Sequence, residues 1–268
     1  MMDEGATNSK PIHIWKTGGL ESSKDILANE KPLELSINIG GESKVLGMLL
    51  RTPGDDEDLS LGWLLGESVI HSIEQVMSIS IEKNQVEIEL DGNKIKLSDI
   101  ASRSFTINSS CGLCGRENLD GLVIPNRLSL SSDKWVKPEI LTKLPSNLSN
   151  SQKHFEITGG LHASAIFDEK GELIDVKEDI GRHNALDKLI GSRLKLERLP
   201  AERQILMLSG RIGYELVQKA AFAGMPVVAG LGAPSTMAVE AARSAGLTLV
   251  GFLKEDKFNV YCGAWRIM

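Results

Sequence analysis

The amino-acid sequence predicts a mixed fold, with a β-rich first half and a three-layer α/β second half. In the first half, apolar and polar residues alternate over 33–50 and again over 76–97, which is the period of half-buried strands. From residue 205 onward, short apolar strands alternate instead with amphipathic helices, which is typical of a sheet covered by helices. We therefore expect a loose lead-in over 1–30, a β-rich domain over 31–128, a linker over 129–153 and an α/β domain over 154–268.

The composition is that of a globular protein in a reducing compartment. The chain has 268 residues, of which 41% are hydrophobic and 25% charged, and its formal net charge is −6. No apolar run is long enough to cross a bilayer, and an acidic chain lacks the basic stripe that nucleic-acid binding requires. Three cysteines do not make a disulfide framework. We expect a cytoplasmic protein that binds neither membrane nor nucleic acid.

The elements of the first half follow from this alternation. Gly40-Gly41 is expected to turn the chain between two strands, and Asp55-Asp56 to begin a helix with an apolar stripe that reaches Ile70. Asp91-Gly92-Asn93 is expected to form a turn. The predicted strands cover 33–39, 45–50, 76–81, 86–90 and 95–97.

In the second half the predicted elements alternate more regularly. The linker is expected to contain a short helix near 139–143. Pro234 is predicted at the first position of a helix opened by Gly232. Strands are predicted over 155–158, 163–167, 173–176, 205–208, 227–229, 247–252 and 258–261, and further helices over 182–194 and 211–223.

A pair of cysteines separated by two residues is the most reactive feature of the sequence. Cys111 and Cys114 lie in the stretch 108–116 among glycines and hydroxyl residues, which favours an exposed turn, and Arg116 follows them. This spacing supports dithiol redox chemistry, half of a zinc site, or a cysteine carrying a sulfane sulfur. A four-cysteine zinc site is excluded because only Cys262 remains, whereas a mixed site with His154, His162 or His183 stays open. Cys262 is expected to be a small buried residue.

Ligands of open α/β sheets bind beyond the carboxyl ends of the strands, where helix starts offer free amide groups. Three predicted helix starts of this kind combine glycines with polar or basic residues, and the turn Gly159-Gly160 places His162 beside a flexible backbone. A charged loop connects the strand predicted over 247–252 to the one predicted over 258–261. The candidate ligand residues are His162, Asp179, Arg182, His183, Ser209, Gly210, Arg211, Pro234, Ser235 and the loop Phe252, Leu253, Lys254, Glu255, Asp256 and Lys257.

Nucleobase deaminases also combine histidine, glutamate and paired cysteines, but their signature is absent. It requires H-x-E followed by P-C-x-x-C. Here His162 is followed by Ala163 and Ser164, Ser110 precedes Cys111, and the order is reversed. Deamination is therefore not expected.

Taken together, these motifs resemble the FdhD family, the sulfur carrier proteins needed for formate dehydrogenase maturation. The resemblance covers nearly the whole chain from about Pro32. The segments that carry it are Arg51-Thr52-Pro53-Gly54, Ser110-Cys111-Gly112-Leu113-Cys114-Gly115, Thr158-Gly159-Gly160-Leu161-His162, Glu178 to Lys188, Ser209-Gly210-Arg211 and Leu247 to Phe252.

The resemblance implies a sulfurtransferase that accepts sulfur from a cysteine desulfurase as a persulfide and delivers it to the molybdenum cofactor before insertion into formate dehydrogenase. It implies Cys111 as the persulfide-bearing residue and Cys114 as its partner. It also implies a C-terminal domain similar to the cytidine deaminase fold, a homodimer, and binding of molybdenum bis-(molybdopterin guanine dinucleotide) as a client, with residues 252–257 matching the cofactor-binding segment. The alternative is a non-catalytic molybdopterin-nucleotide chaperone or a zinc-holding scaffold.

Overall fold

The computed structural model describes residues 5–101 and 133–268, and these residues form a mixed α and β fold. The chain begins with an antiparallel hairpin of β1 (Thr7–Lys16) and β2 (Gly19–Ala28). The prediction of a loose lead-in was wrong for this part. Both faces of the hairpin are largely exposed. Its strands therefore need no apolar and polar alternation, and the alternation pattern missed them.

A four-stranded sheet follows, in the order β4-β3-β6-β5. Its strands are β3 (Lys31–Ile39), β4 (Glu42–Arg51), β5 (Val76–Glu82) and β6 (Gln85–Leu90), with the predicted turn at Gly40-Gly41. Helix α1 (Asp56–Gly66) lies on the buried face. The sequence placed Ile70 on this helix, but the helix ends four residues earlier. A short helix α2 (Leu97–Ala101) replaces the strand predicted at 95–97.

Residues 133–158 form short helices, and the first two cover one face of the six-stranded sheet of the second half. They are α3 (Pro138–Leu141), α4 (Leu144–Ser149) and α5 (Lys153–Thr158). Leu141, Leu144 and Leu148 are fully buried against one face of that sheet. The described part of the expected linker is thus a packed layer. The strand predicted at 155–158 is also wrong, because the Glu178 carboxylate accepts the N–H groups of the first turn of α5 and stabilises a helix.

The second half is a six-stranded sheet between two layers of helices. Its strand order is β12-β11-β10-β9-β7-β8. One face packs against α6, α7 and α8, and the other against the layer of α3 and α4. The elements are β7 (His162–Phe167), β8 (Leu173–Asp179), α6 (Arg182–Lys195), β9 (Ile205–Leu208), α7 (Tyr214–Phe222), β10 (Val227–Gly230), α8 (Thr236–Ser244), β11 (Thr248–Gly251) and β12 (Asn259–Cys262).

The two halves share one hydrophobic core, because α1 packs directly on α6. Glycines allow the two backbones to touch. A Cβ added to Gly62 would overlap the backbone carbonyl of Asp187, and one added to Gly191 would overlap that of Asp58. Polar bonds surround this contact: Lys177 of β8 bonds to Asp55 and Asp58 at 2.8 Å each. Helix α6, which begins with the candidate ligand residues Arg182 and His183, therefore packs against α1, and ion pairs between β8 and α1 flank the contact.

Candidate functional site

The topology brings the candidate ligand residues to one edge of the six-stranded sheet. Strands β9, β10 and β11 are parallel, so their carboxyl ends meet at this edge. Strand β7 is antiparallel to β9 and begins there, and β8 ends there, with His162 and Asp179 as register partners. The residues that follow these strand ends are Arg182 and His183 after β8, Ser209–Arg211 after β9, Pro234 and Ser235 after β10, and Phe252–Lys257 after β11.

Backbone hydrogen bonds join the loops after β9 and β10. The Gly232 N–H donates to the Gly210 carbonyl at 3.1 Å, and the Ile212 N–H donates to Ala233 at 3.0 Å. The Ser235 N–H returns to the Ile212 carbonyl at 3.0 Å. A Cβ on Gly232 would lie 2.8 Å from the Gly210 oxygen, so glycine is required for this approach. The edge is consequently a preformed surface.

The loop after β11 presents an aromatic ring on a strained backbone. The Phe252 N–H donates to the Gly232 carbonyl at 3.1 Å, and the residue has φ of 50° and is 44% exposed. A bulky residue at positive φ is costly, and such positions concentrate at functional sites. Leu253 is buried in the core instead, and the Lys254 N–H closes a turn on Lys257. The segment 252–257 thus divides into an exposed ring, a buried anchor and a charged turn.

A histidine lies at the centre of the edge. The His162 Nδ1 is 3.5 Å from the Ser209 hydroxyl oxygen, which accepts the Ala163 N–H at 2.8 Å. The imidazole packs over Gly210, where an added Cβ would approach ring atoms to 3.3 Å. The loop after β9 therefore holds both the ring and its hydrogen-bond partner.

Two arginines add positive charge around this ring. Burial lowers the pKa of His162, and Arg182 and Arg211 lower it further, while Asp179 acts in the opposite direction. His162 is thus neutral at physiological pH, and the arginines carry the charge. The Nε atom of Arg182 is buried without a hydrogen-bond partner among the described residues, and Arg211 is exposed. Guanidinium groups in this arrangement are suited to bind phosphate.

Asp179 is buried and its carboxylate is fully used within the chain. It accepts the Thr52 N–H at 3.0 Å and the Gly181 N–H at 2.9 Å. It also accepts the Asn184 amide at 3.0 Å and pairs with Lys188 at 2.8 Å. Lys188 donates in turn to the Thr52 carbonyl at 2.8 Å. This network joins the first half of the chain to the start of α6, and it fixes the turn that presents Arg182 and His183.

His183 is held on its inner side by α7. Its Nε2 is 3.5 Å from the Glu215 carboxylate, and its side chain is 18% exposed. The pKa of His183 is lowered to about 4, mainly by burial and also by Lys219, Arg182 and His162, while Glu215 acts in the opposite direction. His183 is therefore a second neutral imidazole beside the same arginine.

The helix starts at the edge differ from their predicted positions. Helix α7 begins at Tyr214 instead of Arg211, and α8 begins at Thr236, so Pro234 lies outside the helix. The loops are longer because residues 210–213 and 231–235 bond to one another instead of continuing into helices. Ser235 is the cap residue of α8 and accepts the Ala238 N–H at 3.1 Å. Its hydroxyl hydrogen is the part that a ligand can use.

Comparison with known proteins places the chain in a family. A family model described as the FdhD/NarQ family matches residues 28–268. The chain belongs to this family. A relative from Sulfolobus acidocaldarius, named "Sulfur carrier protein FdhD", is 45% identical over 253 residues, which are 94% of this chain and 95% of the relative. One from Streptomyces avermitilis with the same name is 40% identical over 97% of this chain and 95% of the relative.

A solved structure also shares the fold. A protein from Desulfotalea psychrophila, described as a candidate formate dehydrogenase accessory protein, superposes with a TM-score of 0.77. The alignment covers 98% of this chain and all of the other at 22% identity, so the match concerns the fold alone. The FdhD/NarQ assignment rests on the family model and the relatives, and the fold agrees with it.

The cysteine motif of this FdhD/NarQ chain lies outside the described residues. Cys111 and Cys114 fall between the two described ranges, so their predicted roles stay predictions. Cys262 is buried at the end of β12, and its thiol is 3.4 Å from the Leu247 carbonyl. Burial raises the pKa of this thiol. The expectation that Cys262 is a small buried residue is confirmed.

The described ranges contain neither a cluster of metal ligands nor a membrane-spanning helix. Within 5–101 and 133–268, His, Cys, Asp and Glu side chains do not form a group of three that could hold a metal ion. In the same ranges, every helix is too short or too polar to cross a membrane.

Sequence reasoning identified the edge but missed the residues that support it. Glu215 and Lys219 lie in the helix predicted over 211–223, and their spacing of four residues is the signal that they share one face. Asp187 and Lys188 are charged residues of the helix predicted over 182–194, and both are buried. Their partners, Lys219 and Thr52, are distant in sequence, so only the tertiary fold pairs them.

Proposed function

We propose that this chain is a sulfur carrier that accepts sulfur from a cysteine desulfurase as a persulfide and transfers it to the molybdenum cofactor before insertion into formate dehydrogenase. The observation that carries the proposal is the convergence of four strand ends into one cationic edge, in a chain whose relatives are named sulfur carriers. The cofactor is the substrate of this reaction, in its guanine dinucleotide form. The chain is accordingly a sulfurtransferase.

The sulfur chemistry belongs to the cysteine pair. The Cys111 thiolate attacks the outer sulfur of the desulfurase persulfide, the sulfur–sulfur bond of that persulfide breaks, and the desulfurase thiolate leaves. Cys114 then attacks the Cys111 sulfur and releases hydrosulfide to the cofactor, which leaves a Cys111–Cys114 disulfide. A cellular thiol reduces this disulfide and restores the pair.

The edge of the sheet suits a nucleotide in an extended conformation. Arg182 follows β8 and Arg211 follows β9, and both offer charge for phosphates, while Phe252 offers a ring face at the end of β11. Two strand spacings separate β9 from β11, which is roughly 10 Å. A small anion does not reach across that distance, whereas a nucleoside diphosphate does, and Arg182 lies two spacings beyond β9 on the same edge. The buried Asp179 carboxylate contributes indirectly, because it accepts the Gly181 N–H and so positions the turn before Arg182.

Binding of guanosine diphosphate tests this edge without any sulfur chemistry. We expect the substitutions Arg182→Gln and Arg211→Gln each to weaken binding about tenfold or more, because each removes a charge-assisted hydrogen bond. Arg243→Gln is the matched control, since Arg243 lies in the last turn of α8. Equal affinity of all four proteins, measured by isothermal titration calorimetry at fixed salt, would contradict the assignment of the edge.

The alternative function is a non-catalytic molybdopterin-nucleotide chaperone or a zinc-holding scaffold. The observation that favours it is the position of Arg182 and Arg211 beside His162, which suits phosphate binding with or without sulfur chemistry. Metal analysis and a sulfane-sulfur assay on the purified protein separate the two. Stoichiometric zinc that is lost in Cys111→Ala or Cys114→Ala supports the scaffold, and a sulfane sulfur released by reductant supports the carrier.

We further propose that the protein works in the cytoplasm as a homodimer. The hairpin of β1 and β2 is the element we assign to the contact between the two copies. Two strands alone are marginally stable in water, and this hairpin exposes Trp15 and Leu20 by 72% and 68%. These two residues are register partners near its tip. A second copy would cover an apolar pair that the described chain leaves open.

A further inference from the structure

The four-stranded sheet of the first half has one face that the rest of the described chain leaves open to solvent. Its other face carries Leu33, Leu35 and Ile37, which are fully buried in the core with α1. Successive side chains of a strand point to opposite faces, so the residues between these three point away from the core. Strand β6 shows the same division, because every second residue from Val86 onward is buried and the others are exposed. We call the open side the outer face of this sheet.

The strand register places acidic side chains on the outer face and no basic ones. Two hydrogen bonds across the sheet show which side chains share this face: the Ser43 hydroxyl donates to Glu87 at 2.7 Å, and the Gln85 amide donates to Glu34 at 3.1 Å. The carboxylates at outer-face positions are Glu34, Glu82, Glu87 and Glu89. Lysine and arginine are absent from the outer-face positions of all four strands. The face is therefore uniformly negative.

The edge strand β4 adds a stripe of apolar side chains to the outer face. Val45, Met48 and Leu50 are 56%, 52% and 42% exposed. They lie opposite outer-face residues of β3, and Met48 is the register partner of Glu34. Apolar and acidic groups thus adjoin on one open surface. Contiguous exposed apolar residues with polar residues at their border are typical of a surface that binds another protein.

The charge of the outer face selects the kind of partner. Nucleic acids and anionic membranes carry the same sign of charge and are repelled. A second copy that used the same face would bring two sets of carboxylates together, because a two-fold contact is self-complementary. A different protein with lysine or arginine residues around an apolar contact complements both features.

The edge strand of this face also contacts the described segment that leads to the cysteine motif. The Lys44 ammonium of β4 donates to the Ile100 carbonyl of α2 at 3.3 Å. Ile100 precedes Cys111 by eleven residues, which span about 40 Å at most. The chain from β4 to Cys111 is therefore short on the scale of a protein that docks on the sheet.

We infer that the outer face of the four-stranded sheet is the docking surface for the protein that donates sulfur to Cys111, and that this donor presents a basic surface around an apolar contact. The inference deepens the proposed function and rests on it for the transfer of sulfur. It assigns the two partners to different surfaces: the donor protein docks on the outer face, and the cofactor binds at the edge of the six-stranded sheet.

Binding to a purified cysteine desulfurase tests the charge of this surface. In surface plasmon resonance, Glu87→Lys with Glu89→Lys should weaken binding about tenfold or more, mainly through slower association. Association of the wild type should slow as salt rises, and that of the double variant should depend less on salt. Glu202→Lys with Glu240→Lys is the matched control, because it changes the net charge equally at exposed positions of the second half and should bind like the wild type.

A second double variant tests the apolar stripe. Val45→Thr with Met48→Gln removes apolar surface without adding charge, and we expect about fivefold weaker binding through faster dissociation. Circular dichroism of every variant should match that of the wild type, because the substituted side chains are exposed and lie outside the core.

The outcomes separate this inference from the proposed function. Equal binding of the wild type and the Glu87 and Glu89 double variant would overturn the docking surface, and so would a wild type that does not bind the desulfurase. Sulfur loading, followed by intact mass, tests the carrier function on its own. A wild type that binds through the outer face but gains no sulfur would keep the docking surface and contradict the carrier function.

Discussion

Single residues at this edge of the sheet divide into exposed residues and the buried residues that support them. Arg211, Ser235 and Phe252 are exposed, whereas Asp179 and Lys188 are buried and bonded only within the chain. The sequence presents all of them as polar or aromatic residues after strands and glycines. Only burial separates the two groups, and burial follows from contacts over more than a hundred residues, such as the bond of Lys188 to Thr52.

Lys188 provides the sharpest prediction at this scale. Lys188→Met removes the cation that pairs with the buried Asp179 carboxylate and leaves that charge uncompensated. We expect the free energy of unfolding to fall by about 3 kcal/mol or more, as urea denaturation would measure. Lys170→Met, at an exposed turn, is the control and should change it by about 0.5 kcal/mol at most. Equal stability of the two variants would show that the ion pair of Lys188 and Asp179 does not stabilise the contact between the two halves of the chain.

Among the elements, the strands and long helices could be predicted from periodicity and the short elements could not. Helix α6 and strands β3, β7 and β9 have strong apolar patterns, and the structure contains them where they were expected. Helix α5 is too short to show a helical period. It forms because Glu178 of β8 accepts its first N–H groups, which is a tertiary effect. The hairpin of β1 and β2 lacks a buried face and therefore lacks the signal.

The contact between α1 and α6 is the element-scale feature that most restricts sequence. Gly62→Ala or Gly191→Ala inserts a methyl group into the backbone of the facing helix. We expect each to lower the free energy of unfolding by about 2 kcal/mol or more, because neither helix can retreat from the shared core. Gly92→Ala is the matched control, since its Cβ would meet Ile39 at an ordinary 3.5 Å. Thermal denaturation should show a lower melting temperature for Gly62→Ala and Gly191→Ala than for Gly92→Ala. A Gly62→Ala variant as stable as Gly92→Ala would contradict the close packing of α1 on α6.

At the scale of the whole molecule, the sequence predicted the layers of the second half but not the way in which the halves join. The segment 133–153 has low hydrophobicity, which favoured a linker, yet its few leucines are spaced to cover one face of the sheet. The edge of the sheet was predictable because parallel strands always end together. The packing of α1 on α6, which supports this edge, was not predictable, because the two helices meet through glycines that carry no apolar signal.

The proposed homodimer is testable on the intact chain. Trp15→Lys with Leu20→Lys places two charges on the hairpin tip. We expect light scattering to give the mass of a dimer for the wild type and of a monomer for the double variant, with unchanged circular dichroism. Leu196→Lys, at an exposed residue beyond α6, is the control and should stay dimeric. A double variant that remains dimeric would place the contact elsewhere, and a monomeric wild type would contradict the dimer itself.

The measurement that tests the central claim most directly is the intact mass of the protein after incubation with a cysteine desulfurase and cysteine. We predict an added mass of one sulfur atom on the wild type and on Cys262→Ala, removed by reductant. We predict that Cys111→Ala lacks the added sulfur. An unmodified wild type, in the presence of a desulfurase verified to be active, would contradict the carrier function and leave a protein that only binds the cofactor.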